Sequence, residues 1–293
     1  MPDTRSKPTD PVRLEIVELL DMIPGLIDLP DFEIVEGSRM ALDRSATTLI
    51  DLPWMVNHFL MAASEHLRTL HLIMRPVHRT LLMPRVASYP IMRAAMEASS
   101  QALWVVGAEE QRTRFLRILQ LEKSEMDYNW RYVAALTEEV PTDGPGGRSR
   151  NERIRREAAP KKKRRWKRMQ DLADAFGIEQ TEFENGCPGY GEIIRESVNE
   201  QGLDGRFCYA IWMYVSGICH SSASRVFAGS RNIRSEDAES ELTSVYTEVD
   251  PKLVRDALQI ALRLQISALA LTKEFSNDQA ESQGDREAPE QAG

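Results

Sequence analysis

Two sets of polar residues recur every four positions on stretches that are otherwise apolar. In "YPIMRAAMEASSQALWVV", Arg93 and Glu97 stand four apart and Gln101 continues the line. On a helix this spacing puts them on one face, where guanidinium and carboxylate can pair. In "FCYAIWMYVSGICHSSASR", Trp212, Ser216 and His220 are also four apart, with Tyr209 and Ser224 close to the same side. A charge sunk among apolar neighbours must find partners, because an isolated buried ion is strongly unfavourable. A histidine at such a place can serve as a general base or donate to a phosphate. Were the two helices to meet, His220 could take a proton from a ribose 2′-hydroxyl while Arg93 held the phosphate. Glu97 would orient the arginine, and Ser216 would hydrogen-bond the substrate or the imidazole. The plainer alternatives are a solvent-facing or purely structural Arg93–Glu97 pair, and a His220 that caps its helix.

A third feature is the run "PKKKRRWKRM" at 160–169. Between Arg148 and Arg168 stand twelve Lys or Arg against two Glu, a net of +10; the other 272 residues carry −18 of the total −8. Such asymmetry points to a polyanionic partner or to an internal acidic one. Lys161, Lys162, Lys163, Arg164, Arg165, Lys167 and Arg168 are candidate phosphate contacts, and Trp166 could stack on a base. RNA is a better candidate than DNA. The alternatives are a solvated, self-paired linker or an anionic membrane surface.

Several chemistries lack their motifs. "GPGG" is followed by Arg-Ser-Arg, so it is not a phosphate loop. No paired Glu-x-x-His motifs suggest a di-iron bundle, and Cys219 beside His220 makes no zinc site without partners. His58, His66 and His71 suggest bundle-facing or surface residues. There is no Gly-x-Ser-x-Gly elbow. The expectation is no metal and no cofactor. Cys187, Cys208 and Cys219 are too few and too odd for a disulfide framework, which fits a reducing cytoplasm. The start of the chain has no apolar leader, and the run 207–219 is too short to cross a bilayer. With 29 Arg to 8 Lys, the coding bias resembles that of a GC-rich bacterium.

The elements that must position these residues read as helices almost throughout. Asp10–Pro11, Asp51–Leu52–Pro53 and Asp250–Pro251 are start signals, with the aspartate as cap and proline in the first turn. Periodic apolar residues predict helices beginning near 12, 51, 89, 109, 165, 189, 204 and 251, with stops near Gly107 and Gly177. The prediction is an all-α, up-and-down bundle of about seven to nine helices. Residues 1–11 form a disordered N-terminus and 12–139 the first helical part. Residues 140–168 form a basic loop or insertion broken by Pro160. The second helical part of the same bundle is 169–275, and 276–293 is a disordered acidic tail. Within 229–248, read as polar loop, "TSVYTEV" is a weak strand candidate.

"RAAMEASSQALWVV", the Arg-rich helix after it, and "YVSGICHSSASR" together resemble an uncharacterised bacterial all-helical group that is loosely HEPN-like. The resemblance covers about residues 50–225. It implies a helical bundle, often dimeric, and in active members metal-independent RNA cleavage in toxin and phage-defence systems. Those enzymes place an Arg and then a His four to six residues later on one helix. Here Arg225 follows His220 by five, and Arg206 precedes it by fourteen. Three readings result. The first is a cytoplasmic, homo-oligomeric interaction or nucleic-acid-associated module, connected through the resemblance with stress or phage defence. The second is a metal-independent ribonuclease centred on His220. The third is a small-ligand bundle whose pocket is lined by Trp104, Trp212 and the Arg93–Glu97 pair.

Overall fold

In the computed structural model the described residues are 10–27, 33–47, 50–75, 81–138, 145–200, 202, 204–220, 222–235 and 244–278. The protein is all-α. Among the described residues, eight helices of eleven residues or more are α1 (Pro11–Met22), α4 (Leu52–Met74), α5 (Ser88–Val106), α6 (Gln111–Leu136), α7 (Pro145–Ala175), α9 (Tyr190–Glu200), α10 (Gly205–Cys219) and α12 (Pro251–Asn277). Short helices join them: α2 (Pro24–Ile27), α3 (Arg39–Ala46), α8 (Gln180–Glu184) and α11 (Ala223–Ala228). The start signals work as capping physics requires. Asp10, Asp51 and Asp250 each accept a hydrogen bond from a first-turn backbone N–H and precede a first-turn proline.

Helix α5 lies at the centre. Thirteen of its nineteen residues are buried, and α4, α6, α9, α10 and α12 all pack on it. Its Ala95, Ala98, Ser99 and Ala102 present little bulk, which lets neighbours approach closely. Among the described residues the buried polar side chains there are paired except for the Trp104 indole N–H and the Thr272 hydroxyl. Ser99 donates to Gln265 Oε1 (2.8 Å), and Gln265 donates to Ser64 Oγ (3.0 Å) and to the Leu60 carbonyl (3.2 Å). That chain of hydrogen bonds fixes the register of α4, α5 and α12, because each partner would otherwise be stranded away from water.

The most deeply buried ions belong to α3 and α6. Arg114 donates to Asp43 through Nε (2.6 Å) and Nη2 (3.1 Å), and Gln111 donates to the same carboxylate (2.8 Å). The Arg114 guanidinium also reaches the carbonyls of Ala108 and Glu109 and lies over the Phe275 ring at 4.7 Å.

Two sequence expectations change. The basic segment is a helix: α7 runs from Pro145 through Pro160 to Ala175. An internal proline removes one backbone donor and crowds the preceding turn, at a cost of about 3 kcal/mol. Packing on α6 and the core offsets it. Arg155 donates to the hydroxyl and carbonyl of Thr137, Lys162 sits over Trp130 at 4.4 Å, and Arg165 pairs with Glu122 at 2.5 Å. Met169, Leu172 and Ala173 are buried below. The second change is a β-ribbon where loop was expected. Strands β1 (Ser230–Ser235) and β2 (Ser244–Val249) pair antiparallel, Ser230 opposite Val249, so the "TSVYTEV" signal marks β2. The expected disordered ends fall largely on residues 1–9 and 279–293, outside the described residues. Pro11 is already helical, and α12 extends to Asn277. Among the described residues no helix is long and apolar enough to cross a membrane.

Candidate functional site

Arg93 and Glu97 lie one turn apart on the edge of α5 that meets α10. Their side chains keep only 21% and 16% of their exposure, so this stripe is covered on most sides. Glu97 Oε1 accepts from Arg93 Nε at 2.6 Å and from the Trp212 indole N–H at 2.9 Å. The Arg93 guanidinium lies over the Trp212 ring at 5.6 Å. One carboxylate oxygen thus orients a cation and an indole together. The indole comes from α10, so this pair of bonds also docks α10 onto α5.

His220 closes the cluster from the other end of α10. It is the C-cap residue, held by its N–H donating to the Ser216 carbonyl at 3.1 Å. Its exposed ring places Nε2 3.4 Å from Arg93 Nη1, across 127 residues of sequence. Since arginine can only donate, this contact requires Nε2 to be the acceptor and the ring proton to sit on Nδ1. Ser216 supplies its carbonyl; its hydroxyl makes no hydrogen bond among the described residues.

Charges around the arginine are balanced locally. Burial disfavours the Arg93 cation, but the hydrogen bond and charge of Glu97 outweigh it, with a smaller contribution from the Cys219 sulfur that Arg93 also reaches. The guanidinium is held above its ordinary range. Burial raises the Cys219 thiol, and Arg93 does not reverse this, so the sulfur is no ready nucleophile at neutral pH. Burial also raises Tyr190, helped by the charges of Glu97 and Glu125 and opposed by Arg93.

Three participants are not evident from spacing alone. Gly191 lies under the aromatic wall: a Cβ there would sit 2.5 Å from the Tyr209 ring and 2.6 Å from the Trp212 ring. Tyr209 in turn stacks on Trp212, centroids 6.1 Å apart. Cys219 and Tyr190 join only because α9, α10 and α5 meet here. The one sequence signal for this wall is the aromatic pair Tyr209 and Trp212 preceding Ser216 and His220.

Other sequence candidates lie elsewhere. Trp104 is buried under the Arg117 guanidinium, 5.1 Å from its ring, rather than beside Trp212. Arg225 donates to the Met213 carbonyl at 2.6 Å while Tyr214 donates back to the Arg225 carbonyl at 3.0 Å, which latches α11 to α10. The basic residues 161–168 are all on α7. Lys161, Lys163, Arg164, Lys167 and Arg168 are exposed, with Lys167 paired to Asp171 at 2.6 Å. Lys162 and Arg165 turn toward α6, and Trp166 turns inward, 5.7 Å from the Phe183 ring. Trp166 is therefore a packing residue more than a stacking platform. No set of three or more His, Cys, Asp or Glu side chains among the described residues is arranged to hold a metal ion.

No family model, curated protein or solved structure matches this chain. The site must be read from its own chemistry. A cleft of about 410 Å³ is lined by Gln101, one turn beyond Glu97 on α5, and by Tyr190, while Arg93, Glu97, Trp212 and His220 stay outside its lining. The cluster thus offers a fixed cation with an exposed imidazole beside it.

Proposed function

We propose that the protein is a nucleic-acid-associated helical bundle in which the Arg93–Glu97–His220 cluster takes a backbone phosphate. The reading rests on one observation: Arg93, already oriented by Glu97, directs a second donor edge at Nε2 of an exposed histidine. A phosphate oxygen is a strong competitor for that donor, since charge-assisted bonds to arginine are roughly twice as strong as neutral ones. Its arrival would release Nε2 to act as a base. With RNA, Nε2 would accept the 2′-hydroxyl proton as the 2′-oxygen bonds to phosphorus and the 5′-oxygen departs. The histidine would then return the proton to the 5′-oxygen, leaving a 2′,3′-cyclic phosphate. Arg93 would offset charge on the phosphoryl oxygens. This is the metal-independent chemistry that the HEPN-like resemblance implies, with arginine and histidine drawn from two helices instead of one.

The test is a labelled RNA incubated with the full chain in EDTA, with products separated by size and end chemistry. The expected result is cyclic-phosphate ends that disappear in His220→Ala and Arg93→Ala. Binding without cleavage, weakened by Arg93→Ala, would support the binding module and reject the catalytic step. RNA binding and turnover untouched by either substitution would reject the site altogether.

A further inference from the structure

The outward face of α7 carries cations with no carboxylate partner among the described residues. Arg150, Arg153, Arg156, Lys161, Arg164 and Arg168 are all exposed there. At 1.5 Å per residue, the stripe from Arg150 to Arg168 runs about 27 Å. Glu157 lies among them and offsets one charge. Like charges at helical spacing mildly destabilise the helix that bears them, so an anionic partner would stabilise it.

Beside the stripe stands an aromatic surface. Trp54 at the start of α4 is 65% exposed, unusual for the largest apolar side chain. It stacks on His58, with centroids 5.6 Å apart and planes within 8°. Trp54 shares a groove of about 470 Å³ with Lys161, Arg164, Arg165 and Arg168. Two carboxylates line that groove, and both are occupied: Asp51 caps α4 at the Trp54 N–H (3.0 Å) and Glu122 pairs with Arg165. The groove leads past Trp54 and Arg165 into the 410 Å³ cleft that holds Gln101, Tyr190 and one further acid, Glu125. Gln101 in that cleft lies one turn along α5 from Glu97.

We infer that the α7 stripe and the Trp54 groove form a track for a single-stranded polynucleotide, leading it toward the Arg93–His220 cluster. The inference rests on the reading of that cluster given above and names its substrate class. Cations alone would hold a duplex equally well through its phosphates. An exposed indole in the same groove discriminates, because a stacking platform needs an unpaired base, and ring–base stacking is sequence-tolerant.

The experiment is fluorescence anisotropy of labelled single-stranded RNA, single-stranded DNA and a duplex of equal length, across a KCl series. Trp54→Ala is expected to weaken single-strand binding roughly ten- to a hundred-fold. The triple variant K161Q/R164Q/R168Q should flatten the salt slope by about 2, from about 0.7 per lost phosphate contact. Both variants alter exposed side chains and should melt with the wild type. RNA and DNA binding alike would support the track; so would a preference for either single strand. A duplex bound as tightly as single strands, or track variants binding as wild type, would overturn it. The two readings separate cleanly. Track variants that lose binding while Arg93→Ala and His220→Ala change nothing keep the track and reject the cluster. Intact binding in the track variants with turnover lost in His220→Ala does the reverse.

Discussion

Replacing Asp43 by alanine should be among the most damaging single changes available. The Asp43 and Arg114 side chains retain 1% and 4% of their exposure. Asp43 accepts three hydrogen bonds, two from Arg114 and one from Gln111. Its loss leaves a guanidinium buried with only the Ala108 and Glu109 carbonyls and the Phe275 ring around it. Breaking one side of a buried pair costs about 3–5 kcal/mol. Against a typical total of about 5–15 kcal/mol, that is a large share. At about 2–4 °C per kcal/mol for a chain above 150 residues, the melting temperature should fall by about 6–20 °C. Asp43→Asn keeps an acceptor and should lose less. Asp43→Leu combined with Arg114→Met removes the whole pair and should recover most of the loss, since apolar replacements of similar volume are often neutral. Calorimetry with far-UV circular dichroism reads all three. A Tm for Asp43→Ala within about 2 °C of wild type would refute the argument. So would an apolar double variant less stable than the single one.

Two further outcomes follow from the site itself. Gly191→Ala places a methyl inside contact distance of Tyr209 and Trp212, so it should cost about 1–3 kcal/mol and shift tryptophan emission as the Glu97 bond loosens; an unchanged spectrum and melting curve would contradict the packing described. Cys187 lines the cleft, and burial pushes its thiol up to about 11 from an ordinary 9.0. The folded state therefore keeps a proton that the unfolded chain gives up. The stability this contributes is complete below pH 9 and is lost as pH rises toward 11. Alkylation followed by mass spectrometry should show Cys187 reacting slowly at pH 8 and accelerating near 11, and reaction at pH 8 as fast as a free thiol would contradict this.

The long helices were legible because their information is local. Aspartate–proline starts and apolar periodicity need no tertiary partner, and α1, α4, α5, α6, α9, α10 and α12 begin close to where those signals place them. Helix α3 was not legible: its cap, Ser38 bonding to the Ala41 N–H, introduces only eight residues. Its importance comes from Asp43 meeting Arg114 across 71 residues. Helix α7 defeated local reading for the opposite reason. Proline and charge both argue against a helix there, and contacts with α6 override them. At the site, the four-residue spacings identified Arg93, Glu97, Trp212 and His220 separately. The hydrogen bond from Trp212 to Glu97, and the space Gly191 leaves for it, depend on how three helices pack, which no spacing within one helix encodes.

Pro160 leaves α7 one rung short at the residue before its basic run. A turn that lacks one hydrogen bond resists bending less than its neighbours do. The upstream half, carrying Arg150, Arg153 and Arg156, is tied to the end of α6 by Arg155 on Thr137, and the downstream half is anchored by the buried Met169, Leu172 and Ala173. A bend at that point would let the proposed track follow a polymer that curves, which a straight cylinder would touch at only one point.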